Sequence, residues 1–497
     1  MFAITGGFIV LFCLVALFDL ELLSTIVDQS FDVAATYFGL FWQVFLLLTF
    51  LVSLLLCLLP GSRAVMGGTT TPDFTLFQWV GMTMCTLLAG GGVFWAAGEP
   101  IAHLLSPPPI FNVEPDTVEA LNAALAQSFL HWGFLAWAIL GSLSAIMLMH
   151  YHYDKGLPLA PRTLLYPVLG ERAIHGTIGL LADALCVIAV VAGTVGPIGF
   201  LGLQLSYGLH DLFNIPDTLT TQSVLIVVLV IIYTISAISG LTRGIQLLSR
   251  MNVILITCLL LYILIAGPGA FILKSFFSGY WFYLKNFFDM ALYRGEAGIF
   301  GPPGWLGWWT VFFWAWFLGY GPMMAVFIAR ISRGRSIRSI ILLLSVVAPV
   351  LTNVWFAIIG GAGLAFELQQ VGSISAPFEG FNLPAALLAI SSQLPFGLVI
   401  SILFLILTTV FVATTGDSMT YVISSTMSRE GAPATPIRVF WGIAMGLMAI
   451  ILISVGTGGI SKLQSFIVIT AVPVSILLVP SIWDALRITL MKGRTQS

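Results

Sequence analysis

Apolar residues run along this chain in blocks long enough to cross a bilayer, about 20 residues each, separated by short clusters of Pro, Gly and charge. Splitting at those clusters predicts about twelve spans: 8–27, 38–59, 78–105, 127–152, 175–209, 221–240, 250–275, 305–329, 340–366, 396–425, 437–455 and 464–485. Several exceed the length of a straight crossing, which predicts tilts and breaks. No detachable soluble domain separates them. Glycines interrupt two spans. The third carries Ala89-Gly90-Gly91-Gly92 and then FWAAGEP, Phe94–Pro100; the eighth carries GYGP, Gly319–Pro322. These interruptions lie five spans apart, the separation expected of two inverted repeats. A helix unwound at such a place offers free N–H and C=O groups to a solute. The plainer reading is that small residues let helices pack closely.

The predicted organisation is a pair of peripheral spans over 1–77, a first repeat over 78–275, and an external connection with an amphipathic segment over 276–304. A second repeat follows over 305–485, then a short tail over 486–497.

Composition makes the membrane reading firm. The chain of 497 residues is 59% hydrophobic and 8% charged, with mean hydropathy +1.05, where soluble chains carry about a quarter charged residues. The net charge of −2 says nothing about partners, and no basic cluster suggests nucleic acid. Cys13, Cys57, Cys85, Cys186 and Cys258 all sit inside apolar runs and none forms CxxC, so they read as packing residues. The first apolar run lacks a basic leader and a small-residue cleavage site, and reads as a retained span. With the N-terminus placed in the cytoplasm, all of the 19 Lys and Arg except Lys274, Lys285, Arg294 and Lys462 fall inside. That asymmetry predicts an even number of spans and two cytoplasmic termini. The basic run Arg330–Arg338 reads as an inner-face anchor open to anionic lipid.

The candidate chemistry is aromatic. Phe312–Pro322, FFWAWFLGYGP, holds six rings in eleven residues. A trimethylammonium group donates no hydrogen bond, so a site holds it with ring faces, at about 0.5–2 kcal/mol each. Phe313, Phe317 and Tyr320 follow i, i+4, i+7 and share a helix face. Trp132 and Trp137 in the fourth span are five apart and diverge on a straight helix. No HExxH, GxSxG or Walker loop is present, which argues against an enzyme. Buried ionisable residues in spans are functional candidates by default. Glu99 reads best as a structural tie, while Asp183 and His131 stand as alternatives for proton coupling.

WTVFFWAWFLGYGPMMAVFIARISRGR, Trp309–Arg335, resembles the eighth-span signature of the betaine/choline/carnitine transporter family. FWAAGEP, HWGFLAWAI (His131–Ile139), GTVGPIGFLGLQLSYGL (Gly193–Leu209) and ATTGDS (Ala413–Ser418) resemble further family segments, in the same order. The resemblance implies an all-α, LeuT-like fold of two inverted five-helix repeats in the bacterial inner membrane, commonly a homotrimer. It implies transport of small zwitterions such as glycine betaine, choline or carnitine. It assigns substrate contacts to Trp132, Trp137, Trp316, Phe317 and Tyr320, with Gly90 and Gly91 at the substrate's carboxylate. Trp314 also matches a family tryptophan. Phe317 and Tyr320 stand where the pattern has tryptophan, Gly321 where it has serine and Leu140 where it has tyrosine, which keeps a sulfonium or less methylated zwitterion open. Sodium-coupled members hold the ion between hydroxyls matched by Thr414 and Thr415 and backbone oxygens at positions matched by Cys85 and Leu88. Asp417 matches a residue near the inner gate. Sodium-independent exchangers carry a positive side chain in the fifth span, and none occurs between Arg172 and Arg243. Sodium-coupled uptake by alternating access is therefore the leading expectation. The alternative is proton-coupled or exchange transport of a different zwitterion, such as a sulfonate or amino-acid derivative.

Overall fold

In hydrocarbon every backbone polar group must be satisfied within the chain, and a helix achieves this unaided. The computed structural model describes residues 1–88, 91–239, 244–295, 304–427, 434–455 and 459–494, with backbone alone at 85–88, 237, 239, 244–249 and 459. Its spanning segments are all helical; the one β pairing among the described residues is the isolated bridge between Val65 and Ser336.

The first two helices depart from the expected boundaries. α1 (Phe2–Phe18) stops at Asp19, whose carboxylate accepts from the Leu22 amide and caps α2 (Leu20–Leu58). The stretch 28–37, left between the first two predicted spans, lies within this 39-residue helix. The third span is divided as its glycines predict, into α3 (Leu76–Leu88) and α4 (Gly92–Leu105). Ala89 and Gly90 lie outside the described residues.

The fourth span is less regular than a straight helix. α5 (Val118–Trp132) ends at Gly133, α6 (Phe134–Ile139) follows, and a turn through Gly141 at φ +143° leads to α7 (Ser144–Met149). α8 (Thr177–Phe213) and α9 (Leu219–Ser239) form the fifth and sixth spans. The expected seventh span turns a corner: α10 (Gly244–Ala266) meets α11 (Gly269–Lys285) at 104° across Gly267-Pro268.

In the eighth span the structure corrects an expectation. Gly319–Pro322 is no break but the middle of α12 (Phe312–Ile331), which is continuous through Pro322. Proline removes only one N–H from a ladder that the surrounding helix maintains. The irregularity of this span lies earlier, in a π-turn over Gly307–Val311. A second π-turn, Leu343–Val347, precedes α13 (Ala348–Gln369), and α14 (Leu383–Ser392) caps the following connection. α15 (Gly397–Met427), α16 (Thr435–Ser454) and α17 (Gly459–Leu478) complete the spans. Most of the stretch read as a tail lies in a last described helix, α18 (Ser481–Arg494).

Nine helices among the described residues are long and apolar enough to cross alone, or ten with the bent pair counted as one. The expected twelve differ because α1 has 17 residues and the broken third span has 13 and 14 on its two sides. At the centre, α12 packs against α17 and α8, while α4 packs against α5 and α13. The basic run braces a neighbouring loop: Arg335 donates to the Phe74 carbonyl at 2.7 Å, Arg338 to Ser62 at 3.1 Å, and Arg333 to the Gly67 carbonyl at 3.2 Å.

Candidate functional site

α12 carries rings on every side, yet burial separates them. Phe312, Phe313, Trp314 and Leu318 have no accessible surface, whereas Trp316, Phe317 and Tyr320 retain 6–7%. Those three positions stand at i, i+1 and i+4 and form one face. Trp132 reaches this face from the end of α5, its ring 6.0 Å from Trp316, 5.5 Å from Phe317 and 5.4 Å from Phe313. Phe356 of α13 closes the far side of Trp132 at 5.0 Å. The break at Gly133 explains why the α5 terminus can present a tryptophan here.

Glycine permits the remaining approach. A Cβ on Gly91 would lie 2.6 Å from Cη2 of Trp316, so the ring rests directly on the third-span break. The Trp316 indole donates to the Gly193 carbonyl at 3.1 Å, and the Tyr320 ring packs on Gly193 with its hydroxyl 3.0 Å from Thr194 Oγ1. The Gly92 carbonyl, in the first turn of α4, accepts from the Trp355 indole at 3.0 Å. Trp132, Trp316, Phe317 and Gly91 therefore converge, and Tyr320 joins them through Gly193. Trp137 and Trp314 do not: both are fully buried, with no ring neighbour among the described residues. Gly90 lies outside the described residues.

The hydroxyl pair sits on α15, which packs against α3 and α10. Thr414 donates to Val410 at 2.8 Å and accepts from Asn252 Nδ2 at 3.2 Å. The Oγ1 of Thr415 and the Oδ1 of Asn252 are buried without a partner among the described residues. Buried oxygens left without a partner are of the ligand type a hard cation takes. Cys85 and Leu88 lie in the last turns of α3; their side chains are outside the described residues.

Asp417, one turn further on, is fully buried and accepts from Arg438 of α16 at 2.9 Å and from Ser236 of α9 at 2.5 Å. It ties three spans together. Asp183 is likewise paired, with the side chain and backbone N–H of Arg162. His131 donates to Glu99 at 2.6 Å, and Trp132 donates to the other oxygen of that carboxylate at 2.8 Å.

A cavity of about 720 Å³ lies beyond Trp309, lined by Asp217, Gln222, Trp308, Phe381, Asn382 and Gln464 among others. Trp309 and Phe381, 5.7 Å apart, both belong to its lining.

Several of these residues escaped the sequence reading. Asn252 is a lone amide in an apolar run, and only its distance from Thr414 marks it. Gly193 and Thr194 lay within a glycine-rich segment too uniform to single out one position. His103, whose Nε2 lies 3.4 Å from Glu99 Oε1, carried a signal in its spacing of four from that residue.

The chain matches the family described as BCCT, betaine/carnitine/choline family transporter, over residues 1–493. It is 58% identical to Glycine betaine transporter 2 of Vibrio parahaemolyticus serotype O3:K6 (strain RIMD 2210633), covering 98% of this chain and 89% of that protein. It is 34% identical to Glycine betaine transporter OpuD of Bacillus subtilis (strain 168), over 84% of this chain and 80% of that protein. The High-affinity choline transport protein of Escherichia coli (strain K12) is 30% identical, over 96% of this chain and 69% of that protein. Among solved structures, a Na+-coupled sialic acid symporter superposes with TM-score 0.49 at 14% identity, covering 90% of this chain and 86% of that one, too loosely to carry an argument. With a family match spanning nearly its whole length, this multi-span helical protein belongs to the betaine/carnitine/choline family of transporters.

Proposed function

We infer that the protein takes up glycine betaine or a closely related quaternary ammonium zwitterion across the bacterial inner membrane, coupled to sodium. The observation that carries the substrate is the ring face: Trp316 and Phe317 keep accessible surface, and Trp132 stands edge-on to both. A trimethylammonium group placed there gains about 0.5–2 kcal/mol per ring, more when desolvated. The carboxylate is met by N–H groups at the start of α4, which Gly91 leaves without a side-chain cap. Names of the relatives point the same way, since two are called glycine betaine transporters.

Sodium is supported by the unpartnered oxygens of Thr415 and Asn252, with Thr414 and the α3 carbonyls at Cys85 and Leu88 completing the ligands. Transport proceeds as the two inverted repeats rock around this point, with Asp417 holding α9, α15 and α16 together. Both termini are cytoplasmic by the charge asymmetry, and the assembly is a homotrimer.

Calorimetric titration of the purified protein with glycine betaine in sodium buffer tests the substrate. Saturable binding is expected, weakened by up to about thirtyfold in Trp316→Leu. Heat unchanged by that substitution would refute the ring-face assignment.

A further inference from the structure

Glu99, His103 and His131 serve none of the roles assigned above to ring faces or hydroxyls, and each is fully buried. Glu99 and His103 are one turn apart on α4 and share a face. His131 enters from the last turn of α5. Glu99 Oε1 is 2.6 Å from His131 Nδ1 and 3.4 Å from His103 Nε2, and one ligand atom from each residue lies within 4.8 Å of the others.

Two observations set this cluster apart from an ordinary buried tie. Neither ring nitrogen of His103 has a hydrogen-bond partner among the described residues, although the side chain is enclosed. A buried polar group left unmade is costly. Secondly, the Glu99 carboxylate meets two imidazoles and, among the described residues, no Lys or Arg within ion-pair reach. A buried carboxylate without a cation is costlier still. One divalent cation removes both deficits at once.

Two imidazoles and a carboxylate form the donor set of zinc-class ions, whereas calcium and magnesium want oxygen throughout. The outer partners such a site requires are in place. Trp132 donates to Glu99 Oε2 at 2.8 Å, and His131 Nε2 lies 2.9 Å from Thr310 Oγ1 and 2.8 Å from Gln127 Nε2. With the metal on Nδ1, the imidazole takes its other tautomer, donating from Nε2 to Thr310, and Gln127 turns its amide oxygen inward. The Trp309 ring covers His103 at 4.3 Å and also lines the cavity, so one ring stands between the two.

We propose that Glu99, His103 and His131 form a binding site for a divalent transition-metal ion of the zinc class, reached from the cavity past Trp309, and that its occupancy slows transport by pinning Trp132. The inhibitory effect rests on the reading of Trp132 as a substrate contact; the binding does not.

The test therefore begins with binding alone. Full-length protein, stripped with chelator, is titrated with Co2+ and its visible absorption followed. The expected result is a saturable ligand-field spectrum with one ion per chain, erased by Zn2+ and unaffected by Mg2+. In His103→Asn, checked for monodispersity and helical content, apparent affinity falls at least about tenfold. His150→Ala, a histidine elsewhere in the chain, retains the spectrum. No saturable spectrum in the unmodified protein, or one unchanged in His103→Asn, overturns the site. Uptake in proteoliposomes is then measured with external Zn2+. Slowing in the unmodified protein but not in His103→Asn is expected. Binding without slowing overturns the regulatory effect, and failure of betaine uptake before zinc is added counts against the substrate reading only.

Discussion

Trp132 donates its indole N–H to Glu99 Oε2 at 2.8 Å while Glu99 Oε1 holds His131, so one buried carboxylate fixes two successive residues at the break of the fourth span. Its position sets the angle at which Trp132 meets Trp316 and Phe317. Replacing Glu99 with alanine strands both donors, and each stranded buried group costs about 1–3 kcal/mol. Glu99→Ala is expected to raise the KM for betaine by about tenfold or more, with a smaller change in Vmax, since about 1.4 kcal/mol corresponds to a factor of ten. Glu99→Gln, whose amide oxygen still accepts from Trp132, is expected to recover part of the loss. Equal KM values in both variants and the unmodified protein would show that Trp132 needs no such anchor.

Trp316 and Trp314 offer an internal control, two residues apart on one helix with different surroundings. Trp316 keeps 6% of its surface and Trp314 none. Leucine at either position removes a large ring, but only at 316 does it remove a π-face from the proposed cation site. Trp316→Leu is expected to raise KM by up to about thirtyfold, the equivalent of about 2 kcal/mol. Trp314→Leu is expected to lower thermal stability and leave KM near its starting value. Kinetics of labelled betaine uptake, together with melting curves in detergent, separate the two.

The central rings were legible because their chemistry is distinctive: Trp132, Trp316 and Phe317 are large π-faces beside glycines, and the structure brings them together. Trp137, assigned to the substrate by the family resemblance, is buried beyond the interruption at Gly133 and makes no ring contact with Trp132 among the described residues. GYGP looked like a break because glycine and proline weaken a helix locally, yet packing against α17 and α8 keeps α12 continuous. The 104° corner at Gly267-Pro268 carried the same glycine and proline signal, but the predicted span runs through it. Apolar composition continues straight through it, and hydropathy carries no record of direction.

Asn252 and Thr415 present the unpartnered oxygens of the proposed sodium site. Asn252→Ala and Thr415→Ala are expected to raise the sodium concentration for half-maximal uptake several-fold, on the order of 1 kcal/mol for a lost ligand or hydrogen bond. At saturating sodium the betaine KM is expected to stay unchanged. Sodium activation curves at fixed betaine check this, and a shift in betaine KM alone would move both residues to the substrate.

Asp417 neutralises Arg438 where little water reaches, with Arg438 7% and Asp417 0% exposed. Removing one partner of such a pair leaves the other charge buried, at a cost of about 3–5 kcal/mol. Asp417→Ala is expected to lower the melting temperature markedly in detergent. Asp417→Asn, which keeps an acceptor for Ser236 and Arg438, is expected to lose less. Identical melting of all three proteins would show that the tie is not structural.

The most direct measurement is uptake of labelled glycine betaine into proteoliposomes, with and without an inward sodium gradient. Concentrative uptake that requires the gradient and falls in both Trp316→Leu and Thr415→Ala is the expected result. Folded protein that moves no betaine under either condition, or moves it equally well without sodium, would contradict the account.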